Sequence, residues 1–127
     1  MKPHQKLDAW KKSLELVNVI YVLTKSFPTE EKFGLVSQLR RCAVSIPANI
    51  AEGCARRSEK ELIQFLYISL GSASELDTLL LLSRNLGFIE IGVCDSVIIE
   101  LDSIFKLLLG FINSVKRRQG GKSGIEN

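Results

Sequence analysis

Apolar residues recur along this chain at helical spacing in four separate segments. In the second segment Val36, Leu39, Ala43, Ile46 and Ile50 follow at steps of three and four, which keeps them on one side of a helix. The other apolar patterns cover about residues 8–27, a stretch that begins after residue 58, and about residues 93–118. Because only short connections separate these segments, the pattern predicts an all-α protein, an up-down-up-down antiparallel four-helix bundle.

Residues with special backbone preferences mark the ends of the predicted helices. Pro28 stops the first helix, and Ser58 with Glu61 has the spacing of a capping box that begins the third. The sequence NLG at residues 85–87 is a helix stop. We therefore expect a single domain over residues 1–118, followed by a glycine-rich, polar and flexible tail at residues 119–127.

The second helix combines a proline with a line of polar residues. Pro47 removes the backbone hydrogen bond to the carbonyl of Ala43, so we expect helix 2 to be kinked at Pro47. A neighbouring face carries four polar residues at helical spacing, here called the polar seam: Arg41, Ser45, Asn49 and Glu52. Two interpretations stay open. The polar seam is either a solvated face or a buried contact with another subunit or partner, in which a hydroxyl or amide satisfies the carbonyl that Pro47 frees.

The segment around this proline resembles a known protein family. Residues 40–80, RRCAVSIPANIAEGCARRSEKELIQFLYISLGSASELDTLL, are similar to the hallmark of small bacterial four-helix-bundle proteins encoded within intervening sequences of 23S rRNA genes. The similarity covers about residues 7–91, and Cys42 and Cys54 stand where small residues are expected. The chain is more distantly similar to the accessory variability determinant of diversity-generating retroelements, a pentameric bundle that engages nucleic acid and a reverse transcriptase. The resemblance implies a four-helix bundle that assembles with itself, with a homopentamer favoured.

Composition excludes some classes of protein. The 127 residues are 46% apolar and 24% charged, which is typical of one globular domain. The most apolar stretch, residues 97–112, contains Glu100, Asp102 and Lys106, so we expect no membrane span and no membrane partner. The N-terminal residues lack the apolar core of a signal peptide, and a cytoplasmic bacterial protein is the expectation.

Residue types that catalyse reactions or hold cofactors are sparse. His4 is the only histidine, which removes the usual nucleophile-base pairs. The chain has neither the Glu-x-x-His pairs of a di-iron bundle nor a phosphate-binding loop. Cysteines at positions 42, 54 and 94 lack paired metal spacing and are interpreted as reduced, buried thiols. The sequence therefore predicts a non-enzymatic protein with no cofactor and no metal site.

Topology predicts where the basic residues meet. In an up-down bundle the start of helix 1, the link between helices 2 and 3, and the end of helix 4 share one end. Eight basic residues, the predicted basic surface, should converge there and bind RNA or DNA backbone: Lys11, Lys12, Arg56, Arg57, Lys60, Lys116, Arg117 and Arg118. A solvated tip whose cations complement the helix dipoles is the competing interpretation. The alternative function is a protein-interaction adaptor that docks a partner, such as a reverse transcriptase, through the polar seam.

Overall fold

The structure, a computed structural model, describes the backbone of residues 1–126 and the side chains of residues 1–120. Four α-helices make up most of it: α1 Asp8–Thr24, α2 Leu35–Cys54, α3 Glu59–Asn85 and α4 Ile91–Glu126. Short 3-10 helices at Pro3–Lys6 and Thr29–Glu31 precede α1 and α2. Residues 1–126 contain no strand. The predicted all-α, four-helix class is therefore confirmed.

Local sequence signals explain where α3 begins and ends. The Ser58 Oγ accepts a hydrogen bond from the Glu61 N–H at 3.1 Å, which confirms the predicted capping box. At the other end the N–H of Phe88 donates to the Ser83 carbonyl at 2.9 Å, across Gly87 with a φ of 82°. This geometry is a Schellman motif, which needs a left-handed residue that glycine supplies without steric cost.

Apolar side chains from all four helices form one core. Each of α1 and α3 packs against both α2 and α4, so helices that follow one another in the chain are also neighbours in space. The largest fully buried side chains come from every helix: Ile20, Leu39, Ile46, Ile50, Leu66, Leu76, Leu80, Leu101, Ile104, Leu108, Ile112 and Val115. Burial of each such side chain stabilises the folded protein by roughly 1.5–3 kcal/mol. This packing fixes the positions of the helix ends.

The helix α3 runs antiparallel to both of its neighbours. As residue numbers rise along α3, its polar contacts reach successively earlier residues of α2 and of α4. These contacts join Ser69 to Ile46 and Ser72 to Cys42 on one side, and Glu59 to Arg118 and Leu80 to Cys94 on the other. The complete up-down-up-down order stays a prediction.

The helix α2 is unbroken across Pro47, and the proline is buried. The apolar stripe predicted for this helix is fully buried, as expected. Side-chain hydrogen bonds beside the proline reach the carbonyls of Ser45 and Ile46. Within residues 1–120 they do not reach the carbonyl of Ala43, which corrects the expectation that the polar seam satisfies that group. The bend at Pro47 stays a prediction.

The helix α4 is longer than its apolar pattern indicates. It continues to Glu126, past Arg118, so the predicted domain boundary at residue 118 does not coincide with a helix end. The predicted flexibility of residues 119–127 stays a prediction, and residue 127 lies outside the described residues.

One helix of the described chain, α3, is long and apolar enough to cross a membrane by length and composition alone. The sequence-based expectation of no membrane span rests instead on residues 97–112 of α4. In the bundle α3 packs against α2 and α4 and buries Leu66, Leu76 and Leu80 completely. One third of the apolar stretch of α3 is buried in the bundle, and the rest is partly or fully exposed.

Candidate functional site

The C-terminal part of α4 lies beside the N-terminus of α3. The Arg118 Nε is 3.6 Å from the Glu59 Oε1, and the Lys116 Nζ donates to the Tyr67 hydroxyl at 2.5 Å. These contacts bring exposed cations of α4 close to exposed cations of the first turn of α3 and of the α2–α3 link. We call this group the basic cluster: Arg56, Arg57, Lys60, Lys116, Arg117 and Arg118.

Local acids neutralise only part of the basic cluster. Arg56 pairs with Glu52, one turn earlier in α2, and Arg118 pairs with Glu59. Ion pairs between exposed side chains are weak, at about 0–1 kcal/mol. Four cations of the cluster have no ion-pair partner within residues 1–120: Arg57, Lys60, Lys116 and Arg117. They can bind an anion without first breaking an intramolecular pair.

Two aromatic residues of α3 lie next to these cations. The Arg56 Cζ is 4.9 Å from the centroid of the Phe65 ring, and the Lys116 Nζ is 5.0 Å from the centroid of the Tyr67 ring. Neither aromatic residue is among the site residues that the sequence predicts. Only the register between α3 and α4 places Tyr67 against a cation that follows it by 49 positions in the chain.

The structure places Lys12 away from the α4 cations of the basic cluster. The Lys12 Nζ lies 3.5 Å from the Ser103 Oγ, in the middle of α4. At 1.5 Å per residue, Ser103 is about 22 Å from Arg118 along that helix. The convergence of all eight residues of the predicted basic surface stays a prediction.

The polar seam is half-buried at its centre and exposed at its ends. The Asn49 Nδ2 donates to the Ser45 carbonyl at 2.8 Å and to the Ser45 Oγ at 2.9 Å. That Oγ is 2.8 Å from the Ser72 Oγ on α3. Ser45 and Asn49 are half-buried, whereas Arg41 and Glu52 are exposed. The centre of the seam therefore contacts α3 of the same chain, and its contact with another subunit or partner stays a prediction.

An open cleft of about 380 Å³ lies between α2 and α3 beside the polar seam. Its lining is mostly polar: Gln38, Arg41, Cys42, Ser45, Ser72 and Glu75. Burial, with smaller contributions from a hydrogen bond to Glu75 and from its charge, raises the pKa of the Cys42 thiol from 9.0 to about 12. The thiol donates to the Ser72 carbonyl at 2.9 Å. Because it stays protonated at neutral pH, it is a poor nucleophile, and the cleft offers binding groups instead of a thiolate.

Metal ligands do not cluster in the part of the chain whose side chains are described. Residues 1–120 contain no group of three or more His, Cys, Asp or Glu side chains arranged to hold a metal ion. His4 packs edge-on against the Trp10 ring, with 5.1 Å between the ring centroids. The chemistry available at the surface is therefore charge, hydrogen bonding and aromatic contact.

The fold and the site together define a small four-helix-bundle protein with a basic end and a polar cleft along its side. The chain matches the 23S rRNA-intervening sequence protein family over residues 5–110, and it belongs to that family. The match includes Arg56, Arg57 and Lys60 and ends before Lys116. The resemblance seen in residues 40–80 is confirmed, while the distant similarity to the accessory variability determinant stays a prediction.

Solved structures agree with this membership. The chain is similar to the crystal structure of a protein of unknown function from the S23 ribosomal protein family of Bacteroides thetaiotaomicron. The two chains share 32% sequence identity with a TM-score of 0.77, over 83% of this chain and 95% of the other. No curated protein matches this chain.

Proposed function

We propose that this chain is a non-enzymatic, oligomeric bundle protein that binds RNA or DNA backbone through the basic cluster. The contact between Arg118 and Glu59 carries the proposal, because it joins cations from α4 and from the α2–α3 link into one surface. Six basic side chains there face three acidic ones, Glu52, Glu59 and Glu61. A net positive surface of this kind neutralises phosphates and releases counterions, without reading sequence.

Membership of a family named for 23S rRNA intervening sequences supports an association of this chain with such sequences. RNA is therefore the first nucleic acid to test. A protein that binds the backbone through exposed cations should accept duplex DNA as well.

Exposed apolar side chains support the oligomeric part of the proposal. Five large apolar residues on α1, α3 and α4 are between 45% and 67% exposed: Val22, Ile68, Leu82, Ile91 and Ile99. Contact with further copies of the chain would remove them from water. The family resemblance favours five copies. A ring of subunits would present several basic clusters to one nucleic acid and so increase its affinity.

The test reverses two cations of the basic cluster that have no ion-pair partner within residues 1–120. The variant Arg57→Glu with Arg117→Glu disrupts no described ion pair, so its fold should be retained. Fluorescence anisotropy with a structured RNA, at several salt concentrations, reports affinity and its salt dependence. Each lost phosphate contact should flatten the slope of log affinity against log salt by about 0.9 on a duplex and about 0.7 on a single strand.

A matched control reverses two cations elsewhere, Lys25→Glu with Lys32→Glu in the connection between α1 and α2. This connection lies away from the basic cluster, because Val19 near the end of α1 shares a groove with Ser96 near the start of α4. The control should bind RNA as the parent does. Equal losses in both variants, or no binding by the parent near physiological ionic strength, would reject the proposal.

A second candidate function is a protein-interaction adaptor, and the cleft beside the polar seam favours it. Arg41 and Glu75 are exposed residues of opposite charge in its lining, and neither has an ion-pair partner within residues 1–120. A protein partner such as a reverse transcriptase could dock there. Under this function Arg41→Glu should abolish co-purification with the partner and leave RNA binding unchanged. An Arg41→Glu variant that keeps the partner would reject the adaptor function.

A further inference from the structure

Tyr67 is an exposed aromatic residue at the edge of the basic cluster. The residue is 44% exposed and lies about two turns from the N-terminus of α3. The Lys116 Nζ is 2.5 Å from its hydroxyl oxygen and 5.0 Å from the ring centroid. Because the ammonium group is much closer to the hydroxyl than to the ring centre, it lies toward the hydroxyl edge. Lys116 therefore leaves most of the ring surface free.

The turn of α3 that follows Tyr67 adds no side chain on this side of the helix. Gly71 lies four positions later, and the space around it is open, because a Cβ added there would meet no atom within 4 Å. A ligand that approaches Tyr67 along α3 therefore meets no side chain at position 71.

The neighbouring aromatic residue, Phe65, is not available in the same way. It is half-buried, and its Cβ lies only 2.9 Å from the place where a Cβ on Gly53 would be. Phe65 therefore serves the contact between α2 and α3. Of the two aromatic residues beside the basic cluster, Tyr67 is the one that is exposed and also lies next to a cation.

We propose that Tyr67 stacks on an unpaired nucleobase while Lys116 and the nearby cations bind the phosphates that flank this base. The inference rests on the proposed function and specifies its ligand: single-stranded RNA or the unpaired loop of a folded RNA. Tyrosine stacks on the face of any base, so this contact tolerates different sequences. In a duplex the bases are already stacked and paired, and Tyr67 cannot reach their faces.

Three substitutions separate stacking from a structural role. Tyr67→Leu removes the ring but keeps an apolar side chain, and Tyr67→Phe keeps the ring but removes the hydroxyl. The matched control is Tyr21→Leu, because Tyr21 is 40% exposed and lies 4.6 Å from the Arg40 Cζ, but on α1. In fluorescence anisotropy with a mixed-sequence RNA strand, Tyr67→Leu should lower affinity about 5- to 150-fold, the effect of losing one stacked base. The other two variants should bind close to the parent.

Two further ligands complete the test: the same strand with abasic sugars in place of its nucleotides, and duplex RNA. Neither offers a free base, so Tyr67→Leu and the parent should bind each of them equally. Equal loss on all three ligands would mean that the ring has only a structural role, and stacking would be rejected. If Tyr67→Leu binds the single strand like the parent while Arg57→Glu with Arg117→Glu weakens it, stacking is wrong and backbone binding stands. If the parent binds none of the ligands, both proposals are wrong.

Discussion

Gly53 marks a very close approach between α2 and α3, and replacing it with alanine should destabilise the bundle. A Cβ on Gly53 would lie 2.9 Å from the Phe65 Cβ, 3.1 Å from the Leu62 Cδ1 and 3.2 Å from the Leu62 carbonyl oxygen. The Phe65 Cβ is fixed to the backbone of α3 and cannot rotate away. Alanine at position 53 must therefore push the two helices apart.

Two effects of opposite sign determine the size of this change. Alanine is more favourable than glycine inside a helix by about 1 kcal/mol. Overpacking a well-filled contact costs about 1–3 kcal/mol, and a clash with a backbone-anchored atom belongs in the upper part of that range. The net loss of unfolding free energy is therefore about 1–2 kcal/mol. For a chain of this length, at about 2.1 cal/mol/K of unfolding entropy per residue, the Tm should fall by about 4–8 °C.

Far-UV circular dichroism during heating measures this change, at one fixed protein concentration because association shifts the Tm. Gly110→Ala is the control, since a Cβ on Gly110 in α4 would meet no atom within 4 Å. It should raise stability by up to about 1 kcal/mol through helix propensity alone. A Gly53→Ala variant that melts at or above the parent would refute the reasoning about the close helix contact.

Three further predictions concern assembly, the polar seam and pH. Light scattering after size exclusion should report a multiple of 14.2 kDa, with five copies favoured, and a clean monomer would remove the assembly proposal. Asn49→Ala should cost about 1 kcal/mol because it removes two hydrogen bonds to Ser45, whereas Glu52→Ala, which removes only an exposed pair with Arg56, should cost less. Equal melting temperatures for these two variants would contradict that ranking. Because the pKa of Cys42 is raised from 9.0 to about 12, the folded protein keeps a proton that the unfolded chain loses in this range. The contribution of the protonated thiol to the free energy of unfolding is fully present below pH 9 and is lost as the pH rises toward 12. In denaturant unfolding, Cys42→Ala should therefore lose less stability at alkaline pH than the parent does. Parallel losses of unfolding free energy in the two proteins would contradict the raised pKa.

The sequence predicts a helix well where its apolar residues lie on one face. In α2 they do, and every residue of the predicted stripe is buried. In α1 apolar residues occupy two adjacent faces, and periodicity cannot choose between them. The structure buries Leu16 and Ile20 but leaves Leu14 and Tyr21 each 40% exposed. It also buries Ser13, whose hydroxyl donates to a backbone carbonyl at 2.8 Å, and hydropathy gives no signal for such a residue.

The composition of the basic cluster depends on helix lengths and register, which the sequence pattern specifies poorly. Lys12 falls outside the cluster because α1 starts level with the middle of α4. Tyr67 falls beside Lys116 because of the register between α3 and α4. A repeat of apolar residues every three or four positions is nearly unchanged when one helix slides by a full turn, so the pattern alone does not fix such neighbours.

The apolar core of α4 stops where its terminal charges start. Val115 is the last buried residue among the described side chains of that helix, and Lys116, Arg117 and Arg118 follow it as exposed residues. Substitutions after Val115 can therefore alter the surface potential while the packing that stabilises the bundle stays intact. Natural substitutions at these positions can therefore change the charge that the protein presents to a ligand without lowering the stability of the fold.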